Sequence, residues 1–522
     1  MSETASNGWL FRRVPALDAL RTYTLADLGR DLIAGVTVAT VAVPQAMAYA
    51  LLAGLPPQYG LYTAIVMTAV GALFDSSRLL INGPTNAISI ALLSALAVVP
   101  EAERIPAAIV LAFLVGAIQL AIALSQLGDL SRFVSHSVIV GFTLGASTLL
   151  ILNQGEHLLG LGPTGVHVPT LLVGVGTVVV VVAVRRFNRV LRRWGWRLPI
   201  PQHLVAVVLM GLLVWAYGLD AQGVAIVGPI PSSLPAFQLP EVKWDQARLL
   251  SGSAFAIGLL GLLEAVAMAK AIAARTGQKL DVNQQCLSEG MANLAGSFFQ
   301  CFPGSGSLTR SAVNEQAGAV SQWSGVFAAV TVAATVVLFA PLAAYIPRAS
   351  LAGLLVLAAY RMIDGRQLWF HLRATRFDLG VVVATAAAAV FVSIEFCIVI
   401  GVFLSFALYV PRAAQVTLTA LPSTPGERSV AFAFDGELFF GAEAELARLF
   451  DAIEQAAQGE VVEVVLCLRR GRNADAAFLL LLKTTAEALG ERGVALTLIN
   501  VPPDLAAALT ATGLARLLAA RD

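Results

Sequence analysis

Apolar stretches of near-spanning length recur from Leu32 to Tyr409, each closed by short polar or Gly/Pro punctuation. The pattern predicts continuous helices near 31–53, 58–75, 105–125, 133–153, 169–184, 201–219, 251–275, 281–300, 323–340, 342–360, 377–394 and 395–410. Two further apolar pieces, 86–99 and 308–320, are too short to span and predict half-helices, giving about fourteen crossing elements in all. Beyond Ser429 the period changes. Strand-like runs at 430–434, 461–468 and 494–500 alternate with helical runs at 443–458, 476–489 and 504–519. That alternation predicts a small α/β domain whose helices cover a short sheet.

Composition agrees with this reading. The 522 residues are 57% hydrophobic and 13% charged, with a mean hydropathy of +0.78. Soluble chains carry about 25% charged residues, and one core could not hide so much apolar surface. A polytopic α-helical membrane protein is implied; disorder, collagen and coiled coil are excluded. From Glu427 onward 14 acidic residues face 9 basic ones, a balance of −5 within a chain of net +1. A slightly basic membrane part with an acidic tail suggests two domains in different solvents, and nothing points to nucleic acid. Cys286, Cys301, Cys397 and Cys467 are scattered and predict reduced thiols. Polar residues interrupt Arg12, Arg13, Arg21 and Arg30 before the first apolar stretch, so no secretory signal is expected.

Basic residues set the expected topology. They cluster after the sixth element (Arg185, Arg186, Arg189, Arg192, Arg193, Arg197), the eighth (Arg275, Lys279) and the twelfth (Arg361, Arg366, Arg373, Arg376). Segments 54–60 and 154–169, after odd elements, carry none. The alternation places both termini in the cytoplasm of a multi-pass protein of the inner (plasma) membrane. The expected division is a cytoplasmic segment 1–30, a transport domain 31–412, a linker 413–428 containing Leu421-Pro-Ser-Thr-Pro-Gly426, and a cytoplasmic domain 429–522. Two tandem halves of odd size must be inverted across the bilayer. In each half the third element is the short one, preceded by Asn82-Gly83-Pro84 or by Pro303-Gly304-Ser305-Gly306. Such interrupted segments at matching positions point to a transporter's midplane site.

A helix that begins inside the membrane exposes backbone N–H groups and the positive end of its dipole, which suits an anion. Thr85, Asn86 and Ala87 supply one such start, and Ser307, Leu308 and Thr309 the other. The competing reading is a pair of Gly/Pro kinks. Arg310 follows directly and would favour an anionic ligand, unless it snorkels to the surface. Glu264 is the lone acid of its helix and is the candidate proton-coupling site; alternatively it is a structural carboxylate paired with Arg310 or Lys270. Gln45 and Tyr49, four apart on one helical face, can hydrogen-bond a ligand or a neighbouring helix. Asn283, Gln284, Gln285, Glu289 and Asn293 form a polar face assigned to packing or to a cytoplasmic mouth. Five unclustered histidines predict no metal site, no cofactor is required, and no nucleophile–base pair suggests an enzyme.

Pro44-Gln45-x-Met47-Ala-Tyr49 with Gly54-Leu-Pro-Pro-x-Tyr59-Gly-Leu-Tyr62 resembles the first-helix signature of the sulfate permease (SulP) family of anion transporters. Ser307-Leu-Thr-Arg310-Ser-Ala-Val-Asn314 is similar to its second half-helix motif, and the tail resembles a STAS domain. The resemblance implies seven-plus-seven inverted repeats, with a core of segments 1–4 and 8–11 and a gate of segments 5–7 and 12–14. It implies elevator motion within a homodimer and an anion site including Gln45, Tyr49, Thr85, Thr309 and Arg310, with Glu264 at the position associated with proton coupling. One departure is visible. Phosphorylatable STAS domains carry Asp-Ser-Ser-Gly, where this chain has Asp475-Ala476-Ala477-Phe478. The expected function is proton-coupled sulfate uptake, with sodium-coupled bicarbonate or dicarboxylate symport, or an uncoupled anion channel or exchanger, as alternatives.

Overall fold

A computed structural model describes residues 14–127, 135–162, 165–194, 200–363, 365–413, 415–422, 428–459 and 461–519. Contacts divide the chain into two compact units, Met1–Val402 and Phe403–Asp522.

The first unit is helical, and each apolar segment expected from the sequence carries a helix. Helix α1 (Leu25–Leu52) starts well before the apolar run because Thr24 and Asp27 form a capping box. Arg30 therefore lies within the helix rather than in a flanking segment. Asp31 is fully buried and accepts from the backbone N–H groups of Val320 and Ser321, at 2.8 and 3.2 Å. Next come α2 (Pro57–Phe74), the two-residue strand β1 (Asn82–Gly83), the short α3 (Asn86–Leu96) and α4 (Arg104–Leu124). Helix α5 (His136–Leu159) runs six residues past its expected end, to a left-handed Gly160, and the 133–135 start falls partly outside the described residues. A small hairpin, β2 (Leu161–Gly162) with β3 (Gly165–Val166), leads to α6 (Val168–Arg193). Arg185, Arg186, Arg189 and Arg193 thus ride on the end of a helix, not in a loop, while Arg197 lies outside the described residues.

Helix α7 (Gln202–Tyr217) precedes α8 (Trp244–Thr276), which begins seven residues before the expected 251. After α9 (Val282–Ser297), strand β4 (Ser305–Gly306) opens the short α10 (Leu308–Gln316). Then follow α11 (Trp323–Ala343) and α12 (Arg348–Met362). The stretch read as a basic loop contains an additional helix, α13 (Gly365–Ala374), whose arginines and aromatics alternate at helical spacing. Helices α14 (Arg376–Phe391) and α15 (Ile394–Ala413) complete the series. Six of the described helices are long and apolar enough to cross a membrane.

The second unit holds a four-stranded sheet ordered β5-β6-β7-β8. Strand β5 (Val416–Leu421) pairs antiparallel with β6 (Ser429–Glu437), which runs parallel to β7 (Glu463–Arg472), itself parallel to β8 (Ala495–Ile499). The expected linker 413–428 therefore contains an edge strand; its residues 414 and 423–427 lie outside the described ones. Helices α16 (Glu443–Ala456), α17 (Ala476–Glu491) and α18 (Pro503–Ala511) cover the sheet, burying Phe434, Phe450 and Phe478 against one another. The helix expected through 519 stops at Ala511, with Thr512 as its cap, because Gly513 turns left-handed, with φ +75°.

Candidate functional site

The two short helices begin at one point. Strands β1 and β4 pair antiparallel, with Asn82 opposite Gly306 and Gly83 opposite Ser305. Helices α3 and α10 each begin within a few residues of this ladder. Such close backbone approach demands glycine. A Cβ on Gly304 would lie 2.6 Å from the carbonyl oxygen of Gly83, and Gly83 itself has φ +139°. The sequence cues read as half-helix starts are therefore a crossing of two extended strands, not kinks in continuous helices.

Polar side chains lock the crossing from every side. Asn293 of α9 accepts from Gly304 N at 2.9 Å and donates to Gly304 O at 3.1 Å and to Gln119 Oε1 at 2.9 Å. Gln119 in turn donates to Gly258 O at 3.0 Å, and Ser305 Oγ donates to Gly261 O at 2.7 Å. Ser311 Oγ accepts from Ile81 N at 2.9 Å, and Ile81 O accepts from Ser307 N at 2.9 Å. Asp75, fully buried, collects Gln285 Nε2 and Ser288 Oγ, both at 2.6 Å, and Asn82 Nδ2 at 3.2 Å. Backbone groups that the strand crossing frees are a liability in an apolar setting, and Asn293 and Ser311 answer it at Gly304 and Ile81.

Within this frame Thr85 caps α3, its Oγ1 accepting from Ile88 N at 3.4 Å and donating to Glu264 Oε2 at 3.0 Å. Ser307 caps α10 by accepting from Arg310 N at 3.5 Å. Arg310 is 1% exposed; its Nη1 donates to Pro84 O at 2.8 Å, while Nε and Nη2 have no hydrogen-bond partner. That placement is the opposite of snorkelling. Tyr49, Glu264 and Arg310 lie within electrostatic range of one another. Glu264 pairs through Thr85, and neither Arg310 nor the exposed Lys270 forms an ion pair with it.

The two starts differ in access. Thr85, Asn86 and Ala87 are buried, and Asn86 Nδ2 contacts Met362 Sδ. Leu308 and Thr309 are exposed, so the α10 start opens outward. Gln45 is buried on the face of α1 shared with Tyr49, its Oε1 unpartnered, and α1 packs against both α3 and α10.

Residues 28–385 match the family model described as the sulfate permease family, and residues 421–521 match the STAS domain. The chain belongs to the sulfate permease family. It is 31% identical over 439 residues to sulfate transporter 4.1, chloroplastic, of Arabidopsis thaliana, covering 80% of this chain and 64% of that relative. The chain thus matches less than two thirds of that relative's length. Low affinity sulfate transporter 3 of Stylosanthes hamata is 30% identical, over 95% of this chain and 86% of its own. Among solved structures, the murine solute carrier 26 family member A9 anion transporter in its inward-facing state gives a TM-score of 0.86 at 21% identity, covering 98% of this chain and 92% of that one. The transmembrane domain of a cyanobacterial bicarbonate transporter gives 0.60 at 25% identity, over 73% and 98%. The family and these relatives are transporters, not enzymes.

Of the two readings of the polar face of α9, packing or a mouth, burial favours packing: Gln285, Glu289 and Asn293 are fully buried. Asn293, Gln119, Asp75 and Ser311 are the positioning residues that sequence reasoning missed or left as packing. Helical spacing puts Ser288 on the same face of α9 as Gln285 and Glu289, but Asp75, the partner of Gln285 and Ser288, lies about two hundred positions away.

Proposed function

We propose that this permease is a proton-coupled secondary transporter that takes up small anions, with sulfate as its substrate. The observation that carries the reading is Arg310: a fully buried guanidinium with two nitrogens unpartnered, set between two helix starts. Each helix start presents about half a positive charge, and a guanidinium matches an oxyanion's geometry. A buried cation with spare donors is stable when an anion shares its cavity. Thr309 and the first amides of α10 would receive the anion from the open side, with Tyr49 and Gln45 across from them.

Glu264 would carry the coupling proton. Its link through Thr85 ties it to the start of α3, so charge arriving between the helix starts alters its field directly. Core elements α1–α4 and α8–α11 would slide against the remaining helices and expose the site to either side, within a homodimer. Fourteen crossings in two inverted halves, with both termini cytoplasmic in the plasma membrane, fit the antiparallel pairing of β1 with β4 and the arginines at helix ends.

Radiolabelled sulfate uptake into proteoliposomes, with and without an inward proton gradient, tests the reading. Acid outside should accelerate uptake and drive accumulation, and unlabelled sulfate should compete better than bicarbonate or a dicarboxylate. Uptake that ignores the gradient, or anion current that reverses at the anion's own Nernst potential without proton flux, would replace symport with a channel.

A further inference from the structure

Away from the half-helix site, three basic side chains gather where α6, α7 and α12 pack together. Asn188, near the end of α6, grips the approach to α7: its Nδ2 donates to Ile200 O at 2.8 Å and its Oδ1 accepts from Ile200 N at 2.9 Å. This pair sets the first turn of α7 against the end of α6. Arg185 lies three positions before Asn188, on the same helical face. His203 stands in the first turn of α7, is 8% exposed, and its Nδ1 has no hydrogen-bond partner. Arg361, in the last turn of α12, closes the group; His203 is within electrostatic range of both arginines, and they are within range of each other.

No acidic side chain pairs with Arg185 or Arg361 among the described residues. Asp364, the acid nearest to Arg361 in sequence, lies outside them. Helix α7 has Pro201 at its N-cap and no side-chain cap bond, so its leading amides add to the positive potential. Like charges brought together by packing repel unless a counter-charge joins them. Arg185 and Arg361 are exposed at their helix ends, where an anion from outside can reach both.

We propose that His203, Arg185 and Arg361 form a site for an oxyanion of the phosphate class, supplied by a lipid headgroup or by free phosphate. The surroundings favour the bilayer surface. Arg186, Arg189 and Arg193 are exposed on the same helix end. Helix α13, next along the chain after Arg361, exposes Trp369 and Phe370, by 57% and 69%, with the Arg373 guanidinium 4.2 Å over the Trp369 ring. Exposed aromatics beside arginines are the signature of a membrane–water interface, and basic clusters between helix ends there hold anionic headgroups.

The test is thermal unfolding of the full-length protein in uncharged detergent, read by tryptophan fluorescence. Dihexanoyl phosphatidylglycerol, dihexanoyl phosphatidylcholine and sodium phosphate are titrated at equal ionic strength. Phosphatidylglycerol should raise Tm, and Arg185→Gln or Arg361→Gln should each weaken its apparent affinity about fivefold. A variant-sensitive shift with phosphatidylglycerol alone identifies the lipid source; an equal variant-sensitive shift with phosphate identifies the free anion. Arg361→Lys and Arg185→Lys guard against misfolding, since they keep the charge and should stay within about twofold of the parent protein. The site is refuted by no shift with either anion, by a shift that survives both Gln variants, or by phosphatidylcholine acting as strongly as phosphatidylglycerol. Lys variants as defective as the Gln variants would refute it too.

Discussion

Arg310 is long, charged and 1% exposed, and only one of its three guanidinium nitrogens has a protein partner. Its replacement therefore separates structure from function. Arg310→Gln should leave the fold intact yet weaken sulfate binding by about 3 kcal/mol, roughly 100-fold, as read by calorimetry. Arg310→Lys should recover part of the loss, because the charge remains while the planar fork is gone. At Glu264 the expected outcome is different. Glu264→Gln should preserve downhill sulfate exchange but abolish accumulation driven by a proton gradient. If that variant still concentrates sulfate with unchanged pH dependence, Glu264 is a structural carboxylate. Both residues were legible in the sequence, because a charge in an apolar helix is rare enough to stand out. The identity of Glu264's partner was not: Thr85 lies 179 positions away, and no local pattern encodes that contact.

At the scale of elements, the ladder between β1 and β4 holds both helix starts in register, and Asn293 clamps one strand of it by both its amide groups. Asn293→Ala would leave Gly304 N and O unsatisfied in a buried place, at about 1–3 kcal/mol each. A clear fall in Tm and slower uptake should accompany each other in that variant, whereas a packing-only role would lower Tm and leave the transport rate of folded protein unchanged. In the C-terminal unit, Asp475 caps α17 by accepting from Ala477 N and Phe478 N, at 3.0 and 3.2 Å, and also accepts from Phe440 N at 2.8 Å. The acid of the Asp475-Ala476-Ala477-Phe478 departure thus has a structural duty, with no hydroxyl beside it to modify. Asp475→Ala should cost about 1–2 kcal/mol, lowering the Tm of an isolated 403–522 fragment by about 4–16 °C in calorimetry. Element boundaries were read less well than element identity. Helices α1, α5, α6 and α8 outrun their apolar cores; for α1 and α5 the end is set by a capping residue, Thr24 or Gly160, and not by hydropathy.

For the whole molecule, two solvents are written into one chain: a helical unit too apolar for water, and a charged α/β unit with its own core of Phe434, Phe450 and Phe478. A chain truncated after residue 415 should lose that second core while keeping every residue of the half-helix site. Proteoliposome uptake by the truncated protein, normalised to folded protein, should stay within about threefold of the full chain if the tail serves assembly and not chemistry. The sequence by itself determined the class of protein, the order of its apolar segments, the two interrupted ones and the charged residues worth watching. Those follow from hydropathy, glycine and proline, all of which act over a few neighbouring positions. Only the tertiary structure decided that the two interruptions meet in a ladder, that one helix start is closed and the other open, and that Asn293 and Asp75 brace them. It alone brought His203, Arg185 and Arg361 together. Hydrogen bonds and like charges across more than a hundred residues depend on how helices pack, and packing is a property of the assembled set rather than of any segment within it.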